Sequence, residues 1–236
     1  MEADTGSARD GRREFLVSAV SAAGIALVGC ATSTAAGAGR SGPANESEEA
    51  EVTPGEDLMQ EHGVLERILL IYDEAASRIE QNEQFELDVV IKAAGIVRRF
   101  VEDYHEQHEE QFVFPRLQQA GVQKELVAIL LAQHRRGREV TDLIVQRAGA
   151  AQWRELSPAL RSFVRMYRPH AAREETVLFP AFRNVIGRAG YRELGEQFEQ
   201  REHQLFGRRG FEDTVAAVAR LEAAFGIQEL ASFTPA

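Results

Sequence analysis

A thirteen-residue pattern that occurs twice constrains this chain more than any other feature: His105-Glu-Gln-His-Glu109-Glu110-Gln-Phe-Val-Phe114-Pro115-Arg-Leu117 and His170-Ala-Ala-Arg-Glu174-Glu175-Thr-Val-Leu-Phe179-Pro180-Ala-Phe182. Each copy sets an imidazole and a carboxylate four residues apart. On a helix such a pair lies one above the other on a single face, so each copy offers one nitrogen and one oxygen ligand in one direction. Upstream of each copy stands a single His behind an acidic or amide residue, Glu61-His62 and Gln133-His134. The order is His, then His-x-x-x-Glu, stated twice.

Apolar residues at steps of three and four mark the helices that carry this pattern. Leu58, Leu65, Ile68, Leu69, Tyr72, Ala76 and Ile79 define a first helix with His62 near its apolar face. A second is predicted from about Phe85 to Phe114, with Val90, Ala94, Val97 and Val101 leading to His105. A third, from about Val122 to Arg147, carries Val127, Leu130 and Leu131 up to His134. The fourth is predicted to open at Ser157-Pro158, an N-cap followed by proline, and to pass through Leu160, Phe163 and Tyr167 to His170. Pro115 and Pro180 should kink or close their helices, because proline lacks an amide donor and crowds the preceding turn. Pro169 either kinks the fourth helix or opens a new one. Beyond Gly187, Tyr191, Leu194, Phe198 and Leu205, then Phe211, Val215, Val218, Leu221 and Phe225, predict one or two further helices. The expected fold is all-α: an up-down-up-down four-helix bundle over residues 57–188, with one or two additional C-terminal helices in 189–236. Where the apolar stripes meet His and Glu, burial costs several kcal/mol unless the charges are paired or metal-bound. That cost argues for a metal.

The pattern resembles the hemerythrin-like proteins, whose four-helix bundles hold two irons through His and carboxylate side chains. The resemblance runs from about Leu58 to about Phe182 and rests on two doublets, two single His and two Phe-Pro exits in one order. It implies that His62, His105, Glu109, His134, His170 and Glu174 bind metal, with Glu109 and Glu174 as bridging carboxylates. It also implies a non-haem pair of Fe ions, carboxylate- and oxo- or hydroxo-bridged, open to O2, NO or peroxide. Ligand type alone also admits Zn or Mn. Oxygen-carrying members have a second His one turn after the one on the third helix, and here Arg138 stands there. The set looks more like members linked to iron sensing or nitrosative-stress repair. The expected function is a di-iron protein that binds or senses O2 or NO, or holds iron. Its rivals are a di-iron enzyme that reduces NO or peroxide, and a zinc-stabilised interaction module.

A net charge of −10 without a basic stripe argues against nucleic acid as a partner. The lone cysteine, Cys30, excludes an internal disulfide and any thiolate-rich metal site. Residues 1–30 look like an export signal: Arg12-Arg13-Glu14-Phe15-Leu16 opens a short apolar run that ends Leu27-Val28-Gly29-Cys30. This resembles a twin-arginine leader with a lipobox, which implies a lipid on Cys30 and a protein exported to the periplasmic or cell-envelope side, anchored to a membrane. Residues 31–56 read as a disordered tether of Ala, Gly, Ser, Thr and Glu, spanning roughly 25–30 Å.

The remaining candidates divide by position. His108 matches Arg173 in the second copy, which suggests an edge or solvent-facing place, and His203 has no counterpart and reads as surface. Glu106, Glu110 and Glu175 are candidate partners for ligand His N–H groups or solvated charges. Arg138 either covers the site or turns to water. Tyr104 and Tyr167 read chiefly as core.

Overall fold

The computed structural model describes residues 53–235. The leader, Cys30 and most of the tether lie outside the described residues. Thr53 caps the first helix, α1 (Pro54–Glu80): its side chain accepts from the Glu56 amide while the Glu56 carboxylate accepts from the Thr53 amide at 2.9 Å. With Pro54 in the first turn, the helix opens inside the stretch read as tether. A second rod runs without a break in helicity through α2 (Leu87–Ile96), a π segment (Val97–His105), α3 (Glu106–His108), a second π segment (Glu109–Val113) and α4 (Phe114–Ala120). It stops at Gly121, whose φ of 74° ends the helix in the left-handed region. The third rod is α5 (Lys124–Gly149), and the fourth comprises α6 (Trp153–Arg173), a π segment (Glu174–Leu178) and α7 (Phe179–Phe206), which breaks at Gly187 with φ 69° and ψ 173°. α8 (Gly210–Phe225) follows, then a 3-10 turn (Leu230–Phe233).

α1 packs on α6, α6 on α5, α5 on α2, and the first π segment returns to α1, which closes a ring of four rods. No strand occurs among the described residues, and the fold is an all-α bundle with extra C-terminal helices. α8 lies against α1 and α2, burying Val218, Leu221 and Phe225, and the Arg67 guanidinium clasps the Glu222 carboxylate.

Two apolar clusters form along the bundle. One contains Val64, Leu65, Tyr104, Val140 and Tyr167; the other contains Leu58, Val113, Leu130 and Leu178. On every rod the metal-ligand candidates fall between these two sets. His62 lies between Leu58 and Val64, His105 and Glu109 between Tyr104 and Val113, His134 between Leu130 and Val140, and His170 and Glu174 between Tyr167 and Leu178. A polar layer is thus sealed above and below by hydrocarbon.

One local expectation is corrected, and two that stood as alternatives are narrowed. Ser157 and Pro158 sit inside α6, not at its start: Trp153 packs edge-on against Phe85, with ring centroids 5.3 Å apart, and buried Leu156 anchors an extra turn upstream. The Ser157 hydroxyl instead donates to Glu80 Oε1 at 2.8 Å. Pro169 opens no new helix, since α6 passes through it. Nor do Pro115 and Pro180 close their helices. In each copy a wide turn, with Phe114 N–H bonded to Glu109 C=O and Phe179 N–H to Glu174 C=O, delivers proline to the first turn of a new α segment, where its missing donor is tolerated.

Candidate metal centre

The bundle brings all six sequence-derived ligand candidates together, each 3% exposed or less. Their donor atoms fall into two groups of four, His62, His105, Glu109 and Glu174, and Glu109, His134, His170 and Glu174, with all ligand atoms in a group within 4.8 Å of one another. Glu109 and Glu174 belong to both. Glu174 approaches His62 Nε2 at 3.3 Å and His170 Nε2 at 3.1 Å, one from each group. Glu109 approaches His105 Nε2 at 3.7 Å and His134 Nε2 at 3.4 Å in the same way. Ligands bound at right angles about 2.1 Å from one ion stand about 3 Å apart, so this spacing suits a metal. Buried to this degree, the doublets are not solvated i,i+4 surface pairs.

The outward ring nitrogens are fixed as regularly. His105 Nδ1 meets Glu61 at 2.8 Å, His62 Nδ1 meets Glu175 at 3.1 Å, His134 Nδ1 meets Glu110 at 3.0 Å, and His170 Nδ1 meets Gln133 Oε1 at 2.9 Å. A carboxylate or amide oxygen only accepts, so each Nδ1 carries a proton and each Nε2 faces the layer. Glu110 and Glu175 therefore act as the expected partners of ligand imidazoles. Glu61 and Gln133, singled out in the sequence only as neighbours of His, serve the same purpose. The signal that reveals them is the residue immediately before each single His.

Glu106 goes elsewhere. It accepts the Tyr167 hydroxyl at 2.7 Å and pairs with Arg138 at 2.7 Å, while Arg138 also reaches Glu110 at 2.8 Å. Arg138 thus turns inward, one turn from His134. Gly137 makes this possible, because a Cβ there would lie 1.9 Å from the Tyr167 hydroxyl. Tyr167 is therefore more than core packing, whereas Tyr104 is buried among Phe100, Phe206 and His108.

His108 is corrected from an edge position to a fully buried one, stacked on Phe198 with ring centroids 4.1 Å apart. The repeat misleads there because Phe198 of α7 covers the first copy at this place. His203 is partly buried and lies outside both ligand groups.

The electrostatics follow from burial opposed by paired charge. Burial disfavours a proton on His62, yet the carboxylates of Glu174 and Glu175 outweigh it and hold the imidazole pKa up at about 10. Burial likewise opposes charge on His134, but Glu106, Glu109 and Glu110 raise it well above the ordinary value. Burial would raise the Glu174 carboxyl, and His170 and His62 instead hold it well below the usual range. Within the layer His62 Nε2 and the oxygens of Glu109 and Glu174 meet only one another and the other ligand imidazoles, at 3.1–3.7 Å, without a well-formed hydrogen bond. A protein rarely buries two carboxylates side by side with so few donors, and a cation bound by the layer supplies the missing partner. The residues present fit a metal.

The sequence matches the hemerythrin HHE cation binding domain over residues 53–182 and again over residues 125–229. The chain belongs to this family. Uncharacterized protein Mb2018 of Mycobacterium bovis and uncharacterized protein Rv1995 of Mycobacterium tuberculosis are each 42% identical to it, with 95% of this chain and 91% of the relative covered. No solved structure matches it. Family membership and the buried His and Glu clusters together make this hemerythrin-family chain a metal-binding protein. Among its described residues, no helix is long and apolar enough to cross a membrane.

Proposed function

We propose that the bundle holds two iron ions, one at His62 and His105 and one at His134 and His170, with Glu109 and Glu174 shared between them. The observation that carries this reading is the double membership of the two glutamates, each of which faces one imidazole from either group. Four imidazoles and two carboxylates leave iron short of six ligands at each position. A reduced iron pair supplies reversible binding and electron transfer to a small molecule such as O2 or NO.

The chain's own residues do the rest. Four acceptors orient the imidazoles, so each Nε2 is preset before an ion arrives. The two apolar clusters exclude bulk water from the layer. Arg138 pairs with Glu106 and Glu110 and fixes both beside His134. With the leader and Cys30 taken as an address, the protein binds or senses O2 or NO, or holds iron, on the outer side of the cytoplasmic membrane.

Purified protein loaded with Fe(II) without oxygen should contain two irons per chain, and its visible spectrum should change on addition of one equivalent of O2 or NO. Stoichiometric binding without repeated turnover supports a carrier or sensor. Sustained consumption of NO or peroxide by the reduced protein identifies an enzyme instead, and zinc in place of iron with a silent spectrum points to an interaction module. Recovery of the chain from the cytoplasm with an unmodified Cys30 would overturn the address.

A further inference from the structure

We propose that the two metal positions are unequal: the His62–His105 position binds its ion first and more tightly, and the His134–His170 position is the exchangeable one. This rests on the two-ion reading. The two halves of the site match position for position, but not in every residue. His105 and His170 occupy matching places, but Glu61 accepts from the first and the neutral amide of Gln133 from the second. His62 and His134 also match, and each donates to a glutamate, Glu175 and Glu110. Glu175 serves His62, whereas Glu110 is shared between His134 and the guanidinium of Arg138.

Four residues after these two histidines the charge reverses. Glu66 follows His62 and pairs only distantly with Arg168, at 3.9 Å; Arg138 follows His134 and occupies the point where Glu106, Glu110 and His134 converge. The first position is therefore backed by two carboxylates, Glu61 and Glu175. The second is backed by two carboxylates, Glu106 and Glu110, with a fixed cation between them, and by an amide where the first has a carboxylate.

A carboxylate behind a ligand imidazole raises its basicity and offsets the charge of the ion, and loss of such a partner typically lowers metal affinity by about 10–100-fold. A resident guanidinium acts against a cation by the same electrostatics. The protein is thereby built to exist in a one-ion form when metal is scarce and a two-ion form when it is abundant, which couples occupancy of the second position to metal supply.

The test is titration of the full, metal-free chain with Zn(II), followed by calorimetry and by nitrogen NMR of the histidine rings. The first equivalent should move the His62 and His105 signals, and the second those of His134 and His170, with affinities separated by about 10–100-fold. Repulsion between two ions alone would also separate the affinities, so the variants decide the cause. Gln133→Glu should strengthen the second event and narrow the gap by about tenfold, and Glu61→Gln should spread the first equivalent over both positions. Gln133 is only partly buried, so its variant carries the test even if Glu61→Gln does not fold. A first equivalent that moves all four rings alike, or His134 and His170 first, overturns the inference and leaves the two-ion reading standing, as does a gap that Gln133→Glu leaves unchanged. A chain that takes up only one ion in excess zinc overturns both.

Discussion

Glu109 and Glu174 differ from the four histidines because each stands in both ligand groups. Removing one histidine spares a position; removing a shared glutamate spares neither. His170→Ala should therefore retain about one metal ion per chain and Glu174→Ala close to none, as read by elemental analysis after dialysis. A second residue-scale prediction concerns Glu102, which lies one turn before the site, fully buried, accepting from Thr141 at 2.5 Å and paired with Arg98 at 2.5 Å. Burial pushes its carboxyl pKa up to about 7, against the partial opposition of Thr141 and Arg98. A raised carboxyl binds its proton in the folded state at pH values where the unfolded chain has released it. Its contribution therefore makes stability fall as pH rises from about the ordinary carboxyl value to about 7, and level off above. Glu102→Gln should remove that slope, a gain over the wild type of roughly 3 kcal/mol at most near pH 8 and little below pH 5, measured by urea unfolding across pH.

At the scale of elements, the wide turns at Glu109 and Glu174 and the close approach of α5 to α6 position the layer. Gly137 lets α5 come near enough for the Tyr167 hydroxyl to reach Glu106. Gly137→Ala inserts a methyl where that hydroxyl sits, so it should displace Tyr167, leave Glu106 short of a donor and destabilise the fold by about 1–3 kcal/mol, despite the better helix propensity of alanine. Urea unfolding of the variant checks the sign, since propensity alone would stabilise by about 1 kcal/mol. The return of α7 over α3 rests on the stack of His108 with Phe198. Phe198→Ala should cost about 3–5 kcal/mol by cavity formation. It should also raise hydrogen exchange in α7 before it does so in α1.

For the whole molecule, the polar layer is the weak plane between two apolar clusters until a cation fills it. Metal that binds only the folded state stabilises it by about 4 kcal/mol at a thousandfold excess over its dissociation constant, for each position occupied. Removing metal with a chelator should therefore lower the thermal midpoint by several degrees. Calorimetry with and without chelator reads this shift, and a midpoint indifferent to metal would count against the site. The Glu174→Ala protein provides the internal control, because its midpoint should not respond.

The sequence by itself determined the all-α class, the repeat and the six side chains of the layer. The class and the repeat depend on local periodicity and i,i+4 spacing, both written in consecutive residues, and the set of six is what the resemblance to the hemerythrin-like proteins implies. It also marked Glu61, Gln133, Glu110 and Glu175 by adjacency to the ligands, without saying which imidazole each would meet. Tertiary structure alone decided that pairing, as it decided the inward turn of Arg138, the burial of His108 under Phe198 and the passage of Pro115 and Pro180 through wide turns. Each of these depends on which rod packs beside which, and at what level. Contacts between residues tens to more than a hundred positions apart are set by the packing of the bundle as a whole, which no local spacing encodes.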